Sequence, residues 1–399
     1  MNTTILRRLS LAACLVAGIF AVCWHAETGA ADSGNARATA ISPAQPDAHA
    51  RNSWDQKTAA AYLDQRAGWW MGWQRAARDH DTFCVSCHTA VPYAMSRPAL
   101  RTALAEQGLS PNERRLLENV TKRVRLWKEV APFYTDADRG VYKSVESRGT
   151  ESVLNALILA SNDASNGVQS GHLSDATRAA FEHMWAEQQT TGEQKGAWLW
   201  LRFKNEPWEA DDSDFYGAAL AAIAVGIAPE NYCARPQIQN NLTMLREYLN
   251  RESAAQTLSN RAVLLWASAK VPGLIKPEQQ KAIISELLGK QQSDGGWSLT
   301  SMAGDWKRHD GTPQEAQSDG YATGLITFAL QQAGISRENA QLQKGLAWLT
   351  ANQNRAEGFW LAYSLNNNEE HHISPDTARF MKDAATAYAV LALSESKTR

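Results

Sequence analysis

Residues 195–226, KGAWLWLRFKNEPWEADDSDFYGAALAAIAVG, carry the pattern that decides the fold of this 399-residue chain. The stretch begins with a Gly-x-Trp turn at Gly196 to Trp198 and ends with an apolar run of small residues after Ser213. Both features occur again further along the chain. Between them lies an acidic cluster, of which residues 209–212 have no counterpart in the other copies. Its members are Glu209, Asp211, Asp212 and Asp214.

The apolar runs form an internal repeat. They begin at Thr150, Ser213, Ser259, Ser318 and Lys382, and successive starts are separated by 63, 46, 59 and 64 residues. An amphipathic helix pattern accompanies each run. A helix that is apolar nearly all round must be buried on most sides, and an amphipathic helix can shield it from water. The pattern therefore predicts an all-α fold, a single (α/α) toroid or barrel of about five helix pairs preceded by a short helical segment. A superhelical array of helices fits the same pattern.

The composition is that of a globular protein with an export signal. The formal net charge of −2 gives no electrostatic basis for nucleic-acid binding. Arg7 and Arg8 precede an apolar run at residues 9–24, so residues 1–30 are predicted to be a signal peptide and residues 31–52 a flexible linker. Because the run is short for a transmembrane span, we expect a periplasmic or otherwise extracytoplasmic protein that meets the membrane only through an uncleaved signal.

The sequence CVSCH at residues 84–88 is the strongest chemical motif in the chain. Cys-x-x-Cys-His is the attachment signature of c-type haem, in which two thiols hold the haem and the adjacent imidazole ligates the iron. We therefore expect haem c to be bound covalently by Cys84 and Cys87, with His88 as an iron ligand. The motif leaves the sixth ligand open. Met95 is the nearest thioether after the motif and is the candidate, while Met71 and His80 precede the motif. The spacing is also compatible with a disulfide, with free thiols or with one half of a zinc site.

A second motif, Gln291-x-x-x-Gly295-x-Trp297, resembles the Gln-x-x-x-Gly-x-Trp repeat of the squalene-hopene cyclase and prenyltransferase families. Looser copies with longer spacers begin at Gln189 and Gln353. The resemblance implies a toroid whose inner helices surround a central cavity for a hydrophobic ligand. In those families the Gln and Trp of the repeat join successive helices, and the resemblance carries this structural role onto the three residues of the motif.

The acidic cluster has two interpretations. In squalene-hopene cyclases an Asp-x-Asp-Asp-Thr motif lies at the mouth of an inner helix, and its middle Asp donates a proton to the alkene. The similar place in this chain reads EADDS at residues 209–213. The resemblance therefore implies Asp211 as a catalytic acid, with Asp212 and Glu209 as neighbours that can keep it protonated by like-charge repulsion. The other interpretation is helix capping, since anions are favoured in the first turn. It suits Asp214, Asp319 and Asp383.

Several departures count against both enzyme families. The chain has room for one repeat domain, whereas the cyclases use two, and the cyclases are not expected to carry an export signal or haem. A prenyltransferase would need an Asp, Cys and His zinc site, and the contexts of Cys233, His371 and His372 do not match that pattern.

The sequence thus predicts a helical haem-motif segment at residues 53–110 and a terpenoid cyclase-like toroid at residues 111–399. The expected function is a redox or electron-transfer role in an exported protein. The expected partners are a redox protein and a hydrophobic, isoprenoid-like small molecule. The alternatives are a terpenoid cyclase that uses Asp211 and a non-catalytic binding scaffold, and the sequence leaves open whether the chain is an enzyme.

Overall fold

A computed structural model describes residues 53–165 and 171–395. The predicted signal peptide and linker, residues 1–52, lie outside the described residues. Thirteen α-helices and one two-stranded antiparallel sheet form the described part of the chain. None of these helices is both long and apolar enough to cross a bilayer. In chain order the elements are α1 (Gln56–Gly72), β1 (Ala77–Arg78), β2 (Thr82–Phe83), α2 (Ala90–Ala103), α3 (Pro111–Arg125), α4 (Asp136–Arg139), α5 (Lys143–Ser165), α6 (Asp175–Glu187), α7 (Asp214–Ile227), α8 (Gln239–Glu252), α9 (Leu258–Ser268), α10 (Pro277–Gly289), α11 (Gly320–Gln332), α12 (Ala340–Ala351) and α13 (Phe380–Glu395).

Twelve of these helices form two concentric layers. In the inner layer α2 packs on α5, and the series continues through α7, α9, α11 and α13, which packs back on α2 and closes the ring. The outer layer consists of α1, α3, α6, α8, α10 and α12, each of which packs against an inner helix that precedes or follows it in the chain. The predicted all-α toroid is therefore confirmed. It contains six helix pairs and not about five. The sixth pair is α1 and α2 of the haem-motif segment, which belong to the ring and do not form a separate segment before it.

The composition of each layer explains its place. The inner helix α7 is buried from Asp214 to Val225, and its Ala and Gly residues let neighbouring elements approach closely. A Cβ on Gly217 would lie 2.2 Å from the Trp200 ring, so this position has no room for a larger residue. The outer helix α3 is amphipathic and begins with a capping box in which Ser110 and Glu113 bond to each other's backbone.

The repeated Trp residues anchor the turns that lead from outer to inner helices. Each indole is fully buried and donates its Nε1–H to a carbonyl in the last turn of the preceding outer helix, at 2.5–2.7 Å. A buried indole N–H needs such an acceptor, so the bond fixes the turn against the helix end. The three pairs are Trp198 with Met184, Trp297 with Leu287 and Trp360 with Leu349.

The Gln of the repeat joins each turn to the next outer helix. Gln291 Nε2 donates to the carbonyls of Gly295 and Gln341, at 2.9 and 2.7 Å, and Gln341 lies in the first turn of α12. The joining role predicted for Gln291 is therefore present in the structure. In the first copy this role belongs to Gln188, which donates to the Gly196 and Asn241 carbonyls. Gln189, the residue named from the sequence, instead bonds through its backbone across the turn.

The last copy of the repeat closes the toroid. Gln353 Nε2 donates to the Asp55 carbonyl at 2.9 Å, and its Oε1 accepts from the Asp55 backbone N–H at 2.6 Å. Asp55 is the N-cap of α1. The N-terminal helix thus takes the place that the next outer helix occupies in the earlier copies.

Candidate functional site

The Cys-x-x-Cys-His motif lies in the loop between β2 and α2. The indole N–H of Trp70, in α1, donates to the Cys84 carbonyl at 2.7 Å, and this bond holds the start of the loop. Ser86 Oγ accepts from the backbone N–H groups of Thr89 and Ala90 at 3.3 and 3.0 Å. Such a serine bond caps the turn from which α2 begins. The two cysteines therefore lie on a fixed turn at the N-terminal end of an inner helix.

Both motif thiols are free and buried. Cys84 is 5% exposed and Cys87 is 4% exposed. Burial raises the pKa of Cys84 to about 12, and burial together with the nearby Glu209 carboxyl raises the pKa of Cys87 well above its usual value. Both groups are thus protonated thiols at neutral pH. The third described cysteine, Cys233, is half-buried at the Tyr232–Ala234 turn before α8.

The imidazole of His88 is surrounded by aromatic rings. The Phe380 ring stacks on it at a centroid distance of 3.7 Å, and the Trp70 ring meets it edge-on at 4.9 Å. Trp208 lies 5.8 Å away. Burial, with a smaller contribution from the Arg66 charge, lowers the pKa of His88 to about 3. The imidazole is therefore neutral at physiological pH, which is the form that ligates a metal.

A chain of hydrogen bonds determines which imidazole nitrogen of His88 carries the proton. Its Nδ1 lies 2.8 Å from Thr89 Oγ1, and Thr89 Oγ1 lies 2.7 Å from Asp383 Oδ2. Asp383 Oδ1 accepts from Arg66 Nε at 2.7 Å and from the Tyr62 hydroxyl at 2.8 Å. Burial raises the pKa of Asp383, and the Arg66 guanidinium opposes this by favouring the carboxylate.

It follows that the single hydroxyl proton of Thr89 is donated to the Asp383 carboxylate. Thr89 must then accept from His88, so the His88 proton is on Nδ1 and the lone pair is on Nε2. Metal-ligating histidines are commonly held in this way, with the other ring nitrogen bonded to an outer partner.

His88 lines a cavity of about 250 Å³ at one mouth of the toroid. Its lining contains both apolar, largely aromatic residues and polar residues. Glu209 is half-buried in this wall, and desolvation raises the pKa of its carboxyl to about 7 while Lys143 opposes the shift. The principal apolar lining residues are Trp73, Trp208, Ile373, Phe380 and Met381, and the principal polar ones are Asn205, Glu209, Asn366, His371 and His372.

The structure divides the acidic cluster between two cavities. Glu209 shares the cavity of His88, whereas Asp211 and Asp212 line a second cavity of about 460 Å³ together with Glu206 and Asp305. Asp211 is exposed to solvent and Asp212 is half-buried. Burial, with a contribution from the Asp211 charge, raises the pKa of Asp212. The three residues predicted as one catalytic group are therefore not brought together.

The other predicted site residue, Met95, is not among the residues that line the His88 cavity. It lies on α2 and packs, half-buried, against the core. The thioether that does line this cavity belongs to Met381, the second residue of α13.

The three carboxylates assigned to helix caps behave differently from one another. Asp319 is the N-cap of α11 and accepts from the backbone N–H of Ala322 at 2.9 Å. Asp214 is the first residue of α7 and accepts from the Trp200 N–H at 3.0 Å. Asp383 is the fourth residue of α13 and makes no cap, because its carboxylate is turned toward Arg66 and Thr89.

Sequence reasoning missed one further polar group, Glu206, and considered His371 only as a zinc ligand of the prenyltransferase pattern. Glu206 is 3% exposed, and burial together with the Asp212 charge raises its pKa to about 8. Its Oε2 has no hydrogen-bond partner among the residues that the structure describes. His371 lines the His88 cavity, and its Nδ1 lies 2.8 Å from Asp310 Oδ2. Residues 53–165 and 171–395 contain no cluster of three or more His, Cys, Asp or Glu side chains arranged to hold a metal ion.

No protein-family model matches this chain, and no curated protein matches it. Three solved structures that resemble it are titled as glycosidases, and one of them is a variant in complex with glucose. Each is 12% identical in sequence and covers 88% of this chain and 99% of its own, with TM-scores of 0.47, 0.45 and 0.44. A likeness of this extent assigns no function to the chain.

Proposed function

We propose that Cys84, Cys87 and His88 hold a covalently attached c-type haem in an exported α/α toroid, and that the protein serves in electron transfer or another haem-dependent redox reaction. The observation that carries this proposal is the state of His88. Its imidazole is neutral, its proton is on Nδ1 through Thr89 and Asp383, and it lines a partly aromatic cavity.

The motif supplies the donor types that the group requires, while Cys84 and Cys87 are buried and are not among the residues that line the His88 cavity. Attachment of haem c needs two reduced thiols at this spacing and a neutral imidazole next to the second one. Both thiols are free in the structure, and their raised pKa values keep them protonated. When bound, haem supplies a one-electron ferric/ferrous couple.

The remaining wall residues have distinct tasks in this proposal. Phe380 and Trp208 exclude water from the side of His88, which keeps the local dielectric low. Glu209 has a pKa of about 7 and faces the same cavity, so its proton occupancy responds to a change of charge there. Trp73, Ile373 and Met381 provide the apolar surface that a hydrophobic, isoprenoid-like molecule would contact.

The same geometry favours this proposal over acid-catalysed cyclisation. A carboxylic acid that protonates an alkene has to be kept protonated in a dry cavity. Asp211 is exposed and lies away from the His88 cavity. The proposal includes an extracytoplasmic location and a redox partner protein, because c-type haem is attached to exported chains and a one-electron carrier needs a donor and an acceptor.

Expression with export to the periplasm and co-expressed haem-maturation machinery tests the proposal. We expect a reduced c-type absorption band, a mass increase of one haem per chain, and haem that stays with the polypeptide after denaturation. Cys84→Ser with Cys87→Ser should abolish all three signals, whereas Cys233→Ser, the matched control outside the motif, should leave them unchanged. A folded, exported protein that carries no covalent haem would overturn the proposal.

A further inference from the structure

We propose that a second cavity at the same end of the toroid, separate from that of His88, binds a small organic cation with two or more ammonium groups. The acidic residues that line this acidic cavity are Glu206, Asp211, Asp212 and Asp305. The two cavities share no lining residue, and the inference does not rest on the proposed haem.

The first observation is the charge of the wall. Residues from three successive turns between outer and inner helices form it, within 206–212, 255–257 and 303–306. Four acidic residues line a space of about 460 Å³, and no Lys, Arg or His is among the described residues that line it. Such a wall offers mainly hydrogen-bond acceptors and attracts positive charge. An ammonium group is its complement, because it has three donors and no acceptor.

The second observation is a buried carboxyl group without a donor. Glu206 is 3% exposed, and its Oε2 has no hydrogen-bond partner within residues 53–165 and 171–395. Burial and the charge of Asp212 together raise the pKa of Glu206 to about 8, so this carboxyl lies near the part of the wall that Asp212 forms. A buried acceptor that lacks a donor is costly. An ammonium group in the acidic cavity would supply the missing donor.

The third observation is that the wall is held in place from behind. The buried Asn366 side chain accepts at Oδ1 from the Glu206 backbone N–H at 2.9 Å and from Trp306 Nε1–H at 3.1 Å. Its Nδ2 donates to the Glu206 carbonyl at 2.6 Å. One amide thus fixes both Glu206 and the Trp306 indole, which also lines the acidic cavity. An aromatic ring beside carboxylates favours an organic cation, because the ring face attracts positive charge.

The carboxyl groups lie at different depths. Glu206 is buried and Asp212 is half-buried, whereas Asp211 and Asp305 are exposed. One ammonium group therefore belongs with the deep pair and a second with the exposed pair, joined by an alkyl chain. A bare metal ion fits less well, since the described part of the chain holds no group of three or more His, Cys, Asp or Glu arranged to bind one.

Binding should be coupled to the proton of Glu206. Tyr321 of α11 is a further titratable neighbour, and burial raises its pKa well above the usual value, so it stays neutral. Burial also raises the pKa of Asp212, and Arg202 opposes this shift, but Arg202 pairs with Asp214 and does not line the cavity. Because a ligand ammonium group favours the carboxylate form of Glu206, binding at pH 7 should release up to one proton.

Isothermal titration calorimetry of the purified, full-length exported protein tests the inference. We expect saturable one-to-one binding of spermidine and of 1,4-diaminobutane, and no binding of 1,4-butanediol, the uncharged analogue of the diamine. Glu206→Gln should weaken spermidine binding about tenfold or more and abolish the proton release, which is measured in buffers of different ionisation enthalpy. Glu118→Gln is the matched control, because it removes an exposed carboxylate from α3, and it should change neither quantity.

A double variant of the exposed pair, Asp211→Asn with Asp305→Asn, keeps the test decisive where Glu206→Gln does not fold. It should weaken spermidine binding about three- to tenfold and leave butylamine, whose single ammonium group belongs with the deep pair, within about twofold.

Four results would overturn the inference. The first is a wild type without saturable spermidine binding, and the second is equal weakening in Glu118→Gln. The third is binding of 1,4-butanediol as tight as that of the diamine, which would indicate a site for neutral polyols. The fourth is Ca²⁺ or Mg²⁺ that binds more tightly than spermidine and depends on Glu206, which would indicate an inorganic cation site.

Discussion

Replacing Asp383 by Asn is expected to move the proton of His88 from Nδ1 to Nε2. In the wild type, Oδ1 of Asp383 accepts from Arg66 and Tyr62, and Oδ2 accepts from Thr89. A guanidinium can only donate, so an Asn at this position must present its carbonyl oxygen to Arg66 and its NH₂ group to Thr89. Thr89 then accepts from the amide and donates to His88 Nδ1, which places the imidazole proton on Nε2.

The same change has an energetic cost that follows from burial. Asp383 is 1% exposed and Arg66 is 2% exposed. Removing one partner of a buried ion pair costs about 3–5 kcal/mol. We expect Asp383→Asn to lower the free energy of unfolding by about 3 kcal/mol, the lower end of that range, because Arg66 keeps an ion pair with Asp376 at 3.0 Å. Urea denaturation of the protein produced without haem measures the loss, and ¹⁵N spectra of histidine-labelled protein report the tautomer.

Asp376→Asn is the matched control. The Asp376 side chain is 46% exposed, so its removal should cost at most about 1 kcal/mol and leave the His88 tautomer unchanged. If Asp383→Asn unfolds the protein too easily for spectroscopy, Thr89→Val removes the hydroxyl alone and should also release the Nδ1 proton from its fixed position. An Nδ1–H tautomer of His88 that persists in a folded Asp383→Asn variant would refute the hydrogen-bond assignment.

Two further predictions concern stability. The pKa of Glu206 is raised from 4.5 to about 8, so the folded state binds more protons than the unfolded state between these values and stability falls as pH rises through the interval. Between pH 5 and pH 8 the free energy of unfolding of the wild type, measured by urea denaturation, should fall by at least about 1.4 kcal/mol more than that of Glu206→Gln. Parallel pH profiles of the two proteins would contradict this. Gly358→Ala should lower the free energy of unfolding by about 1–3 kcal/mol more than Gly273→Ala does. Both positions have positive φ, but only at Gly358 would the new Cβ clash, 2.1 Å from the Thr58 carbonyl oxygen. Equal losses in the two variants would show that the clash is absorbed.

The helical layers were predictable because the pattern that specifies them is local. The predicted starts of the inner helices lie within two residues of those of α7, α9, α11 and α13. The start at Thr150 is seven residues late, since the first two turns of α5 are polar and resemble a loop. The sixth helix pair escaped notice because α2 contains Pro92 and Pro98 in place of a run of small apolar residues.

The candidate site was predictable only where its residues are neighbours in the chain. The motif at residues 84–88 was visible, but the partner that orients His88 is 294 residues from Thr89 in sequence. The acidic cluster is divided between two cavities for a local reason. Backbone pairing of Asn205 with Glu209 closes a small loop, after which the chain turns at residues 210–213. Glu209 and Asp211 therefore face different cavities, although only one residue separates them.

The bond between Gln353 and Asp55 joins residues that are 298 positions apart. During synthesis α1 and α2 are made first, and their packing is complete only when α13, which is made last, is in place. Contacts of such long sequence separation form late, because the intervening chain must first be ordered. In the complete fold Cys84 and Cys87 are 5% and 4% exposed, and α13 packs on α2, the helix that follows them. We therefore expect a thiol reagent to reach Cys84 and Cys87 more readily before the two ends of the chain meet than afterwards.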